Sequence, residues 1–234
     1  MTIDPDAFDA LTFDCYGTLI DWETGIATAL QRVVRAHGIE ATDRQLVDAF
    51  GRHEHVVEEE SFRVYRDVLA ETLVRLVADF GTIPTLAERQ TFAASVGDWP
   101  AFPDSPAALA RLQTRYRLYP ITNCDEDLFA MSVPRLGVEW DGVFAAGTIG
   151  SYKPSLDNFF YAFERIPVPR ERILHVAQSL FHDHVPAKQL GMTTVWVDRQ
   201  GSRDGGATPT AAAVEPDLTV PDMAKRSSSQ FVIG

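Results

Sequence analysis

The chain changes its hydrophobic rhythm twice. A short apolar run, "ALTFDC" (10–15), opens it, and four more runs of strand character come well downstream: "RLYPITN" (117–123), "GVFAAG" (142–147), "RILHVAQS" (172–179) and "TTVWVD" (193–198). Each ends in polar or glycine-rich sequence, as short buried strands do. Helix-length segments at 104–115, 125–136, 155–166 and 183–190 separate the later runs. Strand alternating with helix predicts a doubly wound α/β core, a parallel sheet with helices on both faces. Pro120 is unusual inside such a strand, because proline removes a ladder hydrogen bond.

Between the first two runs the period becomes helical. Tyr65, Val68, Leu69, Thr72, Leu73, Leu76, Val77 and Phe80 recur at helical spacing between Phe62 and Phe80, which predicts an amphipathic helix. A second helix runs through Ile26, Leu30, Val33 and His37 and ends near Gly38; a third spans Asp43 to about Glu60. No strand signal interrupts them. The expected organisation is therefore an α/β core from residues 1–20 and 99–234 with an all-helical domain inserted over 21–98. The proline-rich "GDWPAFPDSP" (97–106) is the return linker. The segments "RDGGATPTAAAVEPD" and "KRSSSQFVIG" read as loop and frayed tail.

Composition narrows the function. A chain of 234 residues, 45% hydrophobic, suffices for one substantial core or a core with a small second domain. A net charge of −12 argues against nucleic acid or an anionic membrane surface as a partner. No apolar stretch is long enough for a membrane helix, and the acidic "MTIDPDAFDA" lacks the features of a signal peptide. With only Cys15 and Cys124, no disulfide framework is available, so the cytoplasm is the expected location. An anionic substrate would need local cations to overcome the general repulsion. Lysine occurs only at 153, 188 and 225, so each placement carries information.

Ligands of open parallel sheets bind at the carboxyl ends of the strands. Those ends carry Asp14, Tyr16, Gly17 and Thr18; Thr122, Asn123 and Cys124; Lys153 in "GSYKP"; and Gln178, Ser179 and Asp183 in "AQSLFHD". Two carboxylates, a lysine, hydroxyls and amides thus converge on one edge, which strand packing alone does not require.

In this order the segments "FDCYGTL", "ITN", "YKP" and "AQSLFHD" resemble the four motifs of the haloacid dehalogenase superfamily. The helical insertion falls where that superfamily carries its cap. The resemblance makes Asp14 the nucleophile, with Thr18 orienting it, Lys153 holding it ionised, and Asp183 beside Lys153 positioning water. Phosphatase members have D-x-D-G-T, whose second aspartate protonates the leaving group, and an aspartate in the fourth motif that ligates magnesium. Here those positions hold Tyr16 and Gln178, neither a carboxylic acid and the latter a poor ligand for a hard dication. D-x-Y-G-T is the pattern of the metal-independent 2-haloacid dehalogenases. The resemblance therefore implies hydrolysis of a small anionic 2-haloacid through an aspartyl ester, with no metal or organic cofactor, and a possible homodimer. It also implies that Thr122 and Asn123 bind the substrate carboxylate, with Ser179 a polar neighbour and Tyr16 and Gln178 on the substrate side of the site.

Other readings stay open beside this one. A cap arginine is expected to bind the carboxylate or the departing halide; Arg52 in "FGRHEH" is the choice, with Arg63 and Arg66 as competitors. The fourth motif lacks the Ser-Asn of the dehalogenases, and Phe159 or Phe160 falls where they have a tyrosine. "HEH" and "HDH" space their histidines two apart, which on a helix points them to different sides, so neither is a ligand pair by itself. His175 reads as a core residue, and Trp22, Phe62, Tyr65 and Trp99 as the packing of cap and hinge. A phosphatase-like hydrolase with a weakened magnesium site and a non-catalytic binding protein are the alternative functions.

Overall fold

A computed structural model describes residues 3–199 and 214–224. The first strand, β1 (Ala10–Phe13), is buried at every position, which explains why its sequence is a continuous apolar run rather than an alternating one. Four helices follow before the next strand: α1 (Trp22–Ala36), α2 (Asp43–Glu60), α3 (Tyr65–Ala78) and α4 (Leu86–Ala94). The remainder alternates: α5 (Ser105–Gln113), β2 (Arg117–Thr122), α6 (Glu126–Leu136), β3 (Phe144–Ala145), α7 (Ala146–Ile149), α8 (Leu156–Phe163), β4 (Ile173–Ala177), α9 (Val185–Gln189), β5 (Thr193–Val197) and β6 (Leu218–Val220).

The six strands form one parallel sheet in the order β3-β2-β1-β4-β5-β6. The order reverses at β1, so the crevice between the ends of β1, β2 and β4 is the topological switch point where ligands bind in such sheets. Pro120 is indeed in β2, opposite Phe13; β3 pairs with β2 only from Ile121 onward, so the proline precedes that ladder. The 142–147 run yields a strand of two residues, after which the chain turns into α7.

The inserted helices bury a common apolar face, including Leu30, Leu46, Phe50, Leu69, Leu73 and Leu76. Two elements exceed the sequence expectation. In α4, Thr85 and Glu88 form a reciprocal capping box that stabilises a helix of nine residues. β6 adds an edge strand after residue 217; residues 203–213 and 225–234 of the expected loop and tail lie outside the described residues. Among the described residues no helix is long and apolar enough to cross a membrane.

Candidate active site

The turn after β1 builds the centre of the site. Asp14 N–H donates to Val176 O of β4 (3.1 Å), extending the strand alignment one residue past β1. Gly17 has φ +99°, a conformation costly for other residues, and a Cβ there would press on Gln178 Oε1 and Trp22 Nε1, each at 3.3 Å. This sharp turn returns Thr18 to Asp14, and Thr18 Oγ1 donates to Asp14 Oδ2 at 2.6 Å while accepting from Gln178 N–H at 2.8 Å. Arg199 donates to Thr18 O at 2.8 and 3.1 Å and pairs with Asp104, holding the turn from behind.

Lys153 bridges two carboxylates. Its Nζ donates to Asp14 Oδ1 (2.9 Å) and to Asp183 Oδ1 (2.7 Å), and the lysine is only 2% exposed. The backbone of Lys153 is clamped by Asn123, whose Nδ2 donates to Lys153 O (3.0 Å) and whose Oδ1 accepts from Lys153 N–H (2.7 Å). Asp183 Oδ1 also meets His175 Nε2 (3.1 Å), and His175 Nδ1 meets Thr12 Oγ1 (2.9 Å). His175 is therefore buried as expected of a core residue, but it also reaches the site, a role its position in a strand did not announce.

Burial and charge set the protonation. Burial pulls the Lys153 ammonium down, but Asp14 and Asp183 more than offset this and hold its pKa above the ordinary lysine value. Asp183 is also opposed by burial, yet Lys153 and His175 keep its carboxyl far below the usual range. Burial, with the charge of Asp183, raises the Asp14 carboxyl above the ordinary aspartate value against the pull of Lys153 and Thr18. His182 is pushed down to about 4, chiefly by burial, and is neutral at neutral pH.

Asp14, Tyr16, Thr122, Asn123, Lys153, Gln178, Ser179 and Asp183 line one cavity of ≈ 110 Å³. Thr18 lies just behind Asp14. Tyr16 directs its hydroxyl away from Asp14, to Ser132 Oγ at 3.1 Å, and sets its ring edge-on against Trp99, so it serves as a wall. Ser179 caps the turn that carries Asp183, accepting from His182 N–H at 3.1 Å. Asn123, expected at the substrate carboxylate, has both ends of its amide committed to Lys153. Thr122 Oγ1 and Asp183 Oδ2 are buried and have no hydrogen-bond partner among the described residues.

The expectation for Arg52 is corrected. α2 turns Gly51, Glu54, His55 and Glu58 toward the cavity, which is one helical face at i, i+3, i+4 and i+7. Arg52, one residue past Gly51, is rotated about 100° off that face. It lies instead beside Glu40, Asp79 and Phe80 and donates to Asp48 O at 3.1 Å. Arg63 pairs with Glu60 and Arg66 with Asp127, so neither competitor lines the cavity. Trp22, Tyr65 and Trp99 do line it, beyond their role in cap and hinge, whereas Phe62 packs on Tyr152.

The magnesium used by phosphatases of this architecture does not fit the donor set. Of the three side chains at those positions only Asp14 is anionic: Gln178 is a neutral amide, and Tyr16 is a phenol whose hydroxyl meets Ser132. Among the described residues no three His, Cys, Asp or Glu side chains are grouped to hold a metal ion. What remains is a buried carboxylate beside a fixed ammonium, with a second carboxylate able to orient water. Such a set suits attack on an electrophile whose leaving group needs no proton.

The family model of haloacid dehalogenase-like hydrolases matches residues 8–183. The (S)-2-haloacid dehalogenase H-109 of Pseudomonas putida is 27% identical over 219 residues, covering 86% of this chain and 92% of its own. The 5-amino-6-(5-phospho-D-ribitylamino)uracil phosphatase YigB of Escherichia coli (strain K12) is 29% identical over 203 residues, covering 80% and 82%. The solved L-2-haloacid dehalogenase of Xanthobacter autotrophicus shares the fold with a TM-score of 0.79 at 20% identity, over 92% of this chain and 95% of that one. By its fold, its motif order and the family match over residues 8–183, the chain belongs to the haloacid dehalogenase-like hydrolases.

Proposed function

We propose that the chain hydrolyses the carbon–halogen bond of a small 2-halocarboxylic acid, without a metal, through an ester on Asp14. The observation that carries this reading is the buried Asp14–Lys153–Asp183 bridge, with Thr18 on the second oxygen of Asp14. An Asp14 carboxylate oxygen attacks the carbon that bears the halogen and the electron pair of that bond leaves with the halide. No acid is required, which accords with Tyr16 and Gln178 in place of the phosphatase carboxylates. Thr122 Oγ1, buried and unpartnered, is free to donate to the substrate carboxylate.

Water then adds to the ester carbonyl. Asp183 Oδ2 has no other partner and accepts a hydrogen of that water; the low basicity of Asp183 makes it an orienting acceptor first. Collapse of the adduct expels the 2-hydroxy acid, whose oxygen takes up a proton, and a second proton leaves to solvent. Asp14 is regenerated, and the net change is one water consumed for one hydroxy acid, one halide and one proton.

The test is halide release in EDTA from chloro-, bromo- and fluoroacetate and both enantiomers of 2-chloropropionate, with Asp14→Asn as control. Release by the wild type alone is expected. Silence across the panel from folded protein, with phosphate released from esters once magnesium is added, would replace this reading by a phosphatase.

A further inference from the structure

The cap side of the cavity does not match a simple anion. Its α2 face carries two carboxyls, Glu54 and Glu58, and among the described residues no arginine lines the cavity. Tyr65 Oη donates to Glu54 Oε1 at 2.7 Å; Glu58 has no hydrogen bond or ion pair among the described residues. His55 turns to Glu59 at 3.2 Å, and His182 is neutral. The cavity therefore holds four carboxyl groups, counting Asp14 and Asp183, against the single ammonium of Lys153. Two of the three N–H donors of Lys153 are taken by the two aspartates of the core.

Two half-buried carboxyls one helical turn apart take up protons or meet a cation. Without a ligand they lean toward the first: burial pushes Glu54 up to about 7 and Glu58 well above the carboxylate range. The walls beside them favour the second. Trp22, Tyr65 and Trp99 present aromatic surface to the same space, and aromatic faces attract ammonium groups. The unpartnered, buried Thr122 Oγ1 and Asp183 Oδ2 on the opposite wall independently mark the cavity as one that a polar ligand completes.

We propose that the substrate carries an ammonium group at its cap-facing end, held by Glu54 and Glu58 against Trp22 and Tyr65. The substrate class is then a small 2-halocarboxylic acid with a terminal amine. This rests on the preceding reading for its reacting end, while the cap-facing end is assigned by the cavity alone. The carboxylate lies toward Thr122, the halogen-bearing carbon at Asp14, and the ammonium on α2. An ordinary 2-haloacid offers this pair no cation, so the two carboxyls keep the protons they hold without a ligand.

The experiment compares halide release from 4-amino-2-chlorobutanoate and 2-chlorobutanoate, subtracting spontaneous loss measured with Asp14→Asn. The amine is expected to raise kcat/KM by roughly a hundredfold or more, as for a polar group that a site is built to pair. Glu54→Gln/Glu58→Gln is expected to reduce that advantage below about tenfold. Equal turnover of the two acids, unaltered in the ratio by the double variant, would overturn the ammonium site and leave the dehalogenase reading standing. Calorimetric binding of propylammonium against propionate examines the subsite without chemistry. Saturable propylammonium binding that the double variant loses is expected even if no halide is released; its absence from folded wild type would overturn the proposal.

Discussion

Lys153 is the residue on which the site depends most. Its ammonium sits 2.9 Å from Asp14 and 2.7 Å from Asp183, with almost no access to solvent. Replacing it by methionine keeps the volume but leaves two buried carboxylates facing each other. Breaking a buried pair in this way costs about 3–5 kcal/mol. The sign with pH follows. Without the ammonium both aspartates have folded pKa values raised above the unfolded value, so the folded state binds protons that the unfolded state does not. The Lys153→Met deficit, measured by urea unfolding, is therefore expected to be largest at pH 7 and to shrink toward pH 5. An equal deficit at both values would mean that lost packing, not charge, is what the lysine supplies.

At this scale the core half of the site was legible in the sequence and the cap half was not. Asp14, Thr18, Lys153 and Asp183 stand at strand ends, and a parallel sheet brings strand ends together whatever the loops do. Arg52 lies off the cavity because a helix residue's direction depends on which face docks. The buried Leu46, Phe50 and Val57 set the phase of α2, and that phase turns Glu54 and Glu58 inward. His175 looked like core because its link to Asp183 spans two elements that only the fold brings together.

Among the elements, α3 has a start that its own sequence does not cap. Its N-cap, Val64, offers no side-chain acceptor, and Asp125 from the loop after β2 supplies one instead. Asp125 Oδ1 and Oδ2 accept from the N–H groups of Tyr65 and Arg66, each at 2.9 Å. Gly147 makes room for this, since a Cβ there would fall 2.6 Å from Asp125 Oδ1. Arg66 to Asp127 and Tyr152 Oη to Arg63 O (2.9 Å) reinforce the same seam between the helical insertion and the core. Asp125→Ala is expected to destabilise the protein by about 1–2 kcal/mol, the cost of a lost helix cap. Hydrogen exchange is expected to speed up first at the amides of Tyr65 and Arg66. Uniform loss of protection across the sheet instead would show that Asp125 acts on the core and not on the seam. No local pattern in the sequence announces a cap supplied from sixty residues away, whereas the box that starts α4 is local, formed by Thr85 and Glu88 three residues apart.

For the whole molecule, pH acts on two opposed sets of carboxyls. Asp183, Glu60, Glu88 and Asp217 are held below their ordinary values, so they stabilise the fold at neutral pH and lose that contribution in acid. Glu54 and Glu58 do the reverse. Glu54 is raised from 4.5 to about 7, so between those values the folded state holds a proton that the unfolded chain has released. Its contribution is fully present below pH 4.5 and is lost as pH rises through about 7. The net charge of −12 adds general repulsion in the same direction. Glu54→Gln/Glu58→Gln mimics the protonated pair at every pH. Urea unfolding is therefore expected to find the double variant more stable than wild type by about 1–3 kcal/mol at pH 8 and equal to it near pH 4.5. A ligand that supplies an ammonium to the pair stabilises only the wild type, by mass action, and so narrows the gap at pH 8. A gap of constant size from pH 4.5 to 8 would mean that the two carboxyls titrate as they do in water and that the cap imposes no demand for a cation.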